Sequence, residues 1–132
     1  MGIRNLFTKI ATVYYKLNLG NHAQLSIGSN SVLFAQFRIK GRNNILKFGK
    51  SCTLRRSMIT INGSNNSVLF GNNVKVYESF KLLIEADNCN LLINDNTTVG
   101  SAKFQFGEKN TEIKIGENCM LSRDIIINTS DF

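Results

Sequence analysis

The stretch Phe48-Gly49-Lys50-Ser51-Cys52-Thr53 is one copy of a pattern that returns along most of the chain. In each copy a large apolar residue is followed by Gly or Asn, two polar residues, and a small or β-branched residue. The other copies are residues 27–32, 70–75, 93–98 and 115–120, at spacings of about 21, 22, 23 and 22 residues. A repeat this short cannot bury its own apolar residues, so its copies must stack on one another.

The residues between these copies also fit a coil made of strands and corners. Alternating runs such as Ile45-Leu46-Lys47-Phe48 have period two, which predicts strands with one buried face. Gly and Asn recur at the corners, where they supply backbone conformations with positive φ at low steric cost. The sequence therefore predicts an all-β fold for residues 20–132, a parallel β-helix of about five coils of 21–23 residues. One strand spacing per coil gives a column about 24 Å tall.

The same alternation predicts which side chains point inward and form the core. These residues are Leu25, Ile27, Leu33, Phe37, Ile39, Leu46, Phe48, Leu54, Ile59, Ile61, Leu69, Phe70, Val74, Val76, Leu82, Ile84, Leu91, Ile93, Val99, Phe104, Ile113, Ile115, Leu121, Ile125 and Ile127. Cys52 and Cys119 share a repeat position with Ser31, Val74 and Thr97. That equivalence favours small buried wall residues over nucleophilic thiols.

Residues 1–19 break the repeat and form a predicted N-terminal helix, a separate segment from the β-helix domain. Their apolar residues recur at three- and four-residue steps, in one stripe made of Ile3, Leu6, Phe7, Ile10, Val13, Tyr14 and Leu17. Arg4, Lys9 and Lys16 lie off this stripe. We interpret the helix as a cap that covers the open first coil and protects it from edge pairing. The alternative is a basic amphipathic helix in peripheral contact with an anionic membrane surface.

Composition bounds the class of protein. With 42% apolar and 19% charged residues the chain is neither disordered nor membrane-spanning, and no run of about eighteen apolar residues occurs. No signal-peptide pattern is present, and the three cysteines are widely spaced, which predicts reduced thiols in a cytoplasmic protein without a metal site. The net charge is +7, yet the basic residues are scattered and no recognition motif occurs, so we expect no nucleic-acid partner.

The repeated pattern resembles that of the left-handed β-helix, or hexapeptide-repeat, acyltransferases over about residues 20–132. Periodicity does not give the hand of a coil, so left-handedness is implied by the resemblance alone, and a right-handed solenoid is the alternative. Residues 113–131 are similar to a stretch in bacterial O-acetyltransferases of capsule and lipopolysaccharide synthesis. There the stretch runs into Ser-Asp-x-His, and the histidine is the general base. Ser130 and Asp131 match, Phe132 fills the variable place, and the sequence stops before the histidine.

The resemblance implies an N-terminal part of such an enzyme, with the catalytic histidine beyond Phe132 and with no confident catalytic residue inside the chain. Asp131 either orients a histidine or an acceptor sugar, or forms a turn at a coil corner. Ser130 is interpreted as a turn residue rather than a nucleophile, since no base is available to activate it, and the alternative is a residue that contacts the acceptor or orients the histidine. Arg123 is expected to be a solvated corner charge, or else to face the acceptor or a neighbouring subunit. His22, the single histidine, should lie about 20 Å from Asp131, too far to serve as its base.

By resemblance, the expected function is O-acetyl transfer from acetyl-CoA to a hydroxyl of a cell-surface polysaccharide or its precursor, in a homotrimer and without a metal. The family's histidine deprotonates the acceptor hydroxyl, and backbone N–H groups stabilise the oxyanion. The positive charge would attract an anionic acyl donor or polysaccharide. The alternative is a non-catalytic solenoid: a carbohydrate-binding or structural module, or a pseudoenzyme subunit of a mixed trimer.

Overall fold

A computed structural model describes residues 2–130, except for the side chains of residues 11–13, 16 and 17. Within that range the chain forms one helix and then strands that all pair in parallel. The elements are α1 (Ile3–Leu19), β1 (Ala23–Ile27), β2 (Val32–Lys40), β3 (Asn44–Phe48), β4 (Thr53–Asn62), β5 (Ser67–Phe70), β6 (Lys75–Ile84), β7 (Asn90–Ile93), β8 (Thr98–Phe106), β9 (Glu112–Ile115), β10 (Met120–Leu121) and β11 (Ile125–Asn128).

The strands build two sheets that wind together as a solenoid of five coils. The short strands β1, β3, β5, β7 and β9 form the first sheet in that order. The long strands β2, β4, β6 and β8 form the second sheet, and β10 and β11 both pair with β8 as two halves of the next long strand. The register shifts partway along each long pair, which marks a bend within the second sheet. The predicted β-solenoid with a short N-terminal helix is confirmed.

The predicted vertical alignment of the repeat copies is also confirmed. Ile27 pairs with Phe48, and Phe48 with Phe70. Phe70 pairs with Ile93, and Ile93 with Ile115. The offsets along this column are 21, 22, 23 and 22 residues, the spacings read from the sequence.

Asparagine at the corners turns the chain, as predicted. Two columns of corner residues have positive φ between 55° and 61°. One column is Asn30, Ser51, Asn73, Asn96 and Asn118, and the other is Asn43, Asn65, Asn88 and Asn110. Asparagine tolerates the left-handed conformation better than other residues with a Cβ atom. The high asparagine content of the chain therefore serves its corners.

The core fills the inside of the solenoid with aliphatic side chains and a chain of aromatic rings. Successive ring centroids lie 4.9–6.2 Å apart along Tyr15, Phe37, Phe48, Phe70, Phe80 and Phe104. One predicted core residue is wrong: Leu69 is half-buried and is not among the residues that pack against the core, because Val68 and Phe70 on either side of it point inward. A strand cannot bury two consecutive side chains on one face. Seven other predicted core residues are half-buried but do pack against the core: Ile27, Phe37, Ile39, Ile115, Leu121, Ile125 and Ile127. Val68, Phe80 and Phe106, absent from the predicted core, are fully buried.

Helix α1 lies against β1 and β2 in the first coil. The Tyr15 hydroxyl donates to the carbonyl of Leu33 at 2.7 Å, and the Thr8 hydroxyl donates to the carbonyl of Ser31. Burial raises the pKa of the Tyr15 phenol above its ordinary value, so the hydroxyl keeps its proton. Because β2 is the edge strand of the second sheet, these bonds occupy carbonyl groups that have no neighbouring strand.

The face of α1 that packs on the solenoid is not the predicted apolar stripe. Thr8 and Leu19 are each 4% exposed, and Tyr15 is half-buried. The described members of the stripe point outward: Ile3, Leu6, Phe7, Ile10 and Tyr14 are exposed by 87, 51, 36, 62 and 62%. The side chains of Val13 and Leu17 lie outside the described residues. Arg4 also reaches the solenoid, where its guanidinium donates to the carbonyl of Asn30 and to the hydroxyl of Thr53. Among the described side chains, the helix thus covers the first coil through Arg4, Thr8, Tyr15 and Leu19.

Candidate functional site

The corner that follows β11 carries three hydroxyl groups. The Thr129 N–H donates to the carbonyl of Gln105 at 3.0 Å, which continues the parallel pairing by one residue. The Thr129 hydroxyl lies 3.3 Å from that of Thr111, which donates to the carbonyl of Glu108 at 2.8 Å. The Ser130 hydroxyl is buried and has no hydrogen-bond partner among the described residues. An unpaired buried hydroxyl costs about 1–3 kcal/mol, so the Ser130 hydroxyl favours a polar partner from outside the described residues.

The predicted site residues do not come together in one place. Ser130 lies just after β11 and Arg123 just before it, and the four residues of β11 span about 13 Å. The Arg123 guanidinium forms an ion pair at 2.8 Å with the carboxylate of Glu78, and both side chains are largely exposed. Asp131 lies outside the described residues, so its predicted role stays a prediction. Arg123 is therefore a paired charge at the bend of the second sheet.

His22 lies in the first coil, as its position in the repeat predicts. His22 lies in the corner that leads into β1. Its Nδ1–H donates at 2.7 Å to the carbonyl of Gly41, which lies in the corresponding corner of the next coil. The equivalent corner residue of the fifth coil is Asn110, four coil steps or about 19 Å away. That distance excludes direct proton transfer between His22 and a group bound beside Ser130.

The cysteines belong to the wall of the solenoid. Cys52 is completely buried at the repeat position of Ser31, Val74 and Thr97, which are buried as well. Burial raises the pKa of the Cys52 thiol above its ordinary value, and the thiol donates to the carbonyl of Gly71 at 3.1 Å. A thiol held protonated in this way is a poor nucleophile. Cys119 occupies the same column in the fifth coil and is half-buried. All three cysteines are free thiols.

Two stacked lysines on the outer face of the second sheet were not singled out from the sequence. Lys81 on β6 is register partner of Lys103 on β8, and both side chains are exposed. They border a shallow depression of about 240 Å³ together with Ser79, Ser101 and Asp124. Two like charges on adjacent strands repel unless an anion lies between them. The repeat could have revealed this pair of lysines. Aligning the coils places five residues in one outward column: Gln36, Met58, Lys81, Lys103 and Ile126.

A larger depression lies elsewhere, on the outer face of β1 and β3. It has a volume of about 600 Å³, and Lys47 is the titratable residue in its lining. It lies at the first two coils, whereas Ser130 lies in the fifth. Volume alone therefore does not point to the corner beside β11.

The chemistry available at the corner is hydrogen bonding rather than proton abstraction. Within residues 2–130 no three His, Cys, Asp or Glu side chains come together in a way that could hold a metal ion. The corner offers hydroxyl groups and backbone amides, which can orient a sugar hydroxyl or a carbonyl oxygen. Acyl transfer at this place needs a general base in addition.

No family model, curated protein or solved structure matches this chain.

Proposed function

We propose that the chain forms the scaffold of an acetyl-CoA-dependent O-acetyltransferase that modifies a hydroxyl of a cell-surface polysaccharide or its precursor. The observation that carries this proposal is the in-register stack of five coils with corner residues at positive φ. Such a stack is what the resemblance of residues 20–132 to hexapeptide-repeat acyltransferases requires. The proposal includes a left-handed coil and a trimer with its active sites between subunits.

The reaction defines what the site must contain. The acceptor hydroxyl attacks the thioester carbonyl, a new C–O bond forms, the C–S bond breaks, and the coenzyme A thiolate leaves with the proton that the base removed. The single histidine of the chain, His22, lies in the first coil, so the proposal assigns that role to a histidine outside residues 2–130. Ser130 and Thr129 then hydrogen-bond the acceptor or the base, and Asp131 orients the histidine.

Isothermal titration of the chain with acetyl-CoA tests this proposal. Measurable heat that saturates at one equivalent per chain supports it. A Ser130→Ala variant should retain donor binding, because Ser130 is assigned to the acceptor side. No heat at millimolar acetyl-CoA would remove the claim that this chain by itself is a transferase.

A second candidate function is a non-catalytic module that binds an anionic polysaccharide. The stacked Lys81 and Lys103 side chains, with the neighbouring hydroxyls of Ser79 and Ser101, favour it. A carboxylate or sulfate of a sugar chain placed between the lysines would relieve their repulsion and accept hydrogen bonds from the hydroxyls.

Affinity electrophoresis through a gel containing alginate, a uronic-acid polysaccharide, distinguishes the two candidates. The module predicts retardation of the wild-type chain and loss of retardation in Lys81→Gln/Lys103→Gln. The matched control is Lys109→Gln/Lys114→Gln, which removes the same charge from the same half of the molecule. Equal loss in both variants would indicate nonspecific charge attraction and would count against the module.

A further inference from the structure

The outer side of α1 is an apolar surface that the described residues leave uncovered. We call it the helix stripe: Ile3, Leu6, Phe7, Ile10 and Tyr14. The Phe7 ring lies 5.8 Å from that of Phe34, which is itself 58% exposed and extends the stripe onto the first coil. Contiguous exposed apolar surface of this kind marks a contact with a protein or a membrane.

Apart from Phe7, which contacts Phe34 at its margin, the helix stripe faces away from the solenoid. A helix turns by about 100° per residue, so Ile10 lies about 180° from Leu19, which is buried against the first coil. Tyr15 and Thr8 hold that inner side on β2 through their hydroxyl groups. The stripe is therefore fixed at the N-terminal end of the column, and it points along the column axis.

Charge is strongly polarised along the same axis. Residues 1–77 contain eleven Lys and Arg and no Asp or Glu, a net charge of +11. Residues 78–132 contain five Lys and Arg and nine Asp and Glu, a net charge of −4. The basic residues are thus not evenly scattered along the repeats. The first half of the chain forms α1, the first two coils and part of the third, so the positive end of the molecule is the end that carries the helix stripe.

We infer that this end of the molecule docks on the surface of an anionic lipid bilayer, with α1 lying in the plane of the interface. An exposed apolar stripe on a helix that contains basic residues and no acidic ones has the composition of an interfacial helix. Basic groups near the surface add electrostatic attraction to an anionic leaflet. Arg38, Lys40 and Arg42 are exposed on the first coil, within about one coil height of the helix.

A second copy of the chain fits this surface less well than a bilayer does. Pairing two helix stripes would bring two ends of charge +11 together, and no acidic residue of residues 1–77 could offset the repulsion. Among the described residues no helix is long and apolar enough to cross a membrane. Docking through the helix stripe would stand the solenoid upright and hold the corner beside Ser130 about 20 Å above the lipid.

Vesicle flotation tests this inference with the full chain. The protein should float with vesicles of phosphatidylcholine mixed with phosphatidylglycerol and stay at the bottom of the gradient with phosphatidylcholine alone. Binding should weaken as NaCl rises from about 0.1 M to about 0.5 M, because salt screens the attraction between the basic end and the anionic lipid. Equal binding to both vesicle types, or binding that salt does not weaken, would overturn the electrostatic argument.

The variant Leu6→Gln/Ile10→Gln removes two side chains of the helix stripe without touching the inner face of α1. We expect the vesicle partition coefficient to fall at least about tenfold, since each lost aliphatic side chain removes apolar area from the interface. Met120→Gln/Ile126→Gln is the matched control, because these residues are 82% and 66% exposed at the opposite end of the solenoid. Circular dichroism should show the same thermal transition for both variants.

Two results would contradict the lipid assignment. One is unchanged flotation of Leu6→Gln/Ile10→Gln with a normal thermal transition. The other is a wild-type chain that ignores anionic vesicles but sediments as a dimer, with the double variant sedimenting as a monomer. That second result would assign the helix stripe to self-association.

Discussion

At one corner of the solenoid, buried asparagine side chains form the hydrogen bonds that backbone groups make to the neighbouring coil elsewhere. The Asn66 Nδ2 group donates to the carbonyl of Ala86 at 3.0 Å, and its Oδ1 atom accepts the N–H of Cys89 at 2.8 Å. Asn44 makes the equivalent bonds one coil earlier, where its Oδ1 accepts the N–H of Asn66. Both side chains are at most 1% exposed. Each therefore joins neighbouring coils at a place where the backbone turns away from sheet pairing.

The variant Asn66→Ala should lower the free energy of unfolding by about 2–4 kcal/mol, because it leaves the buried Cys89 N–H and Ala86 carbonyl without partners. Urea denaturation followed by circular dichroism measures the change. Asn62→Ala is the control: Asn62 is exposed on β4, and its loss should stay within about 0.5 kcal/mol. Similar losses in the two variants would show that the buried bonds add nothing.

At the scale of the secondary-structure elements, the distance between coils limits which residues the corners accept. Gly28, Gly49, Gly71, Asn94 and Gly116 stack in one column directly after the strands of the first sheet. A Cβ atom on Gly49 would lie 2.5 Å from the carbonyl oxygen of Gly71 in the next coil. At Gly28, Gly49 and Gly71 the backbone of the next coil leaves no room for a Cβ atom, whereas the column accepts Asn94 one coil further on.

The same substitution should have a large effect at one level of this column and almost none at another. Gly49→Ala should destabilise the protein by about 2–4 kcal/mol, since the neighbouring backbone must move. Gly116→Ala should be close to neutral, because a Cβ atom there would meet only the Cys119 sulfur at 3.7 Å. Thermal and urea denaturation of the two variants measure the difference, and equal effects would contradict the role assigned to coil stacking.

At the scale of the whole molecule, the separation of charge destabilises the first coils. The excess of positive charge in residues 1–77 has no acidic neighbours in its own part of the sequence, so its members repel one another. The last two coils carry charges of both signs. Lys47 lies in the basic first half of the chain, and Lys114 lies in the last coils, where charges of both signs occur. Both belong to one outward column of the first sheet, formed by Ser26, Lys47, Leu69, Leu92 and Lys114.

Neutralising Lys47 should raise the melting temperature, whereas neutralising Lys114 should not. At low salt we expect Lys47→Gln to raise it by about 1–2 °C and Lys114→Gln to leave it unchanged or lower it slightly. The difference should disappear near 0.5 M NaCl, where the screening length is only about 4 Å. Equal shifts at low salt, or a difference that persists at high salt, would contradict the electrostatic explanation.

Much of the candidate site could not be predicted from the sequence. The repeat located Ser130 at a corner and His22 in the first coil, because coil number follows directly from position in the chain. It did not show that Arg123 and Ser130 lie at opposite ends of β11, or that Arg123 is paired with Glu78. Those facts depend on where the second sheet bends, and the number of residues in that bend varies from coil to coil.

The sequence alone determined the coil. Its length, its corners and its inward columns follow from local rules: period-two alternation in strands, and mostly Asn where φ is positive. Because those rules act within a few residues, each copy of the repeat predicts the same coil. The prediction of positive φ is wrong for the repeated glycines Gly28, Gly49, Gly71 and Gly116, three of which lie against the next coil. The tertiary structure decided which side of α1 packs on the first coil. The apolar stripe indicates an apolar surface but not what covers it, and hydrogen bonds from Thr8 and Tyr15 to the free edge of β2 turned that stripe outward.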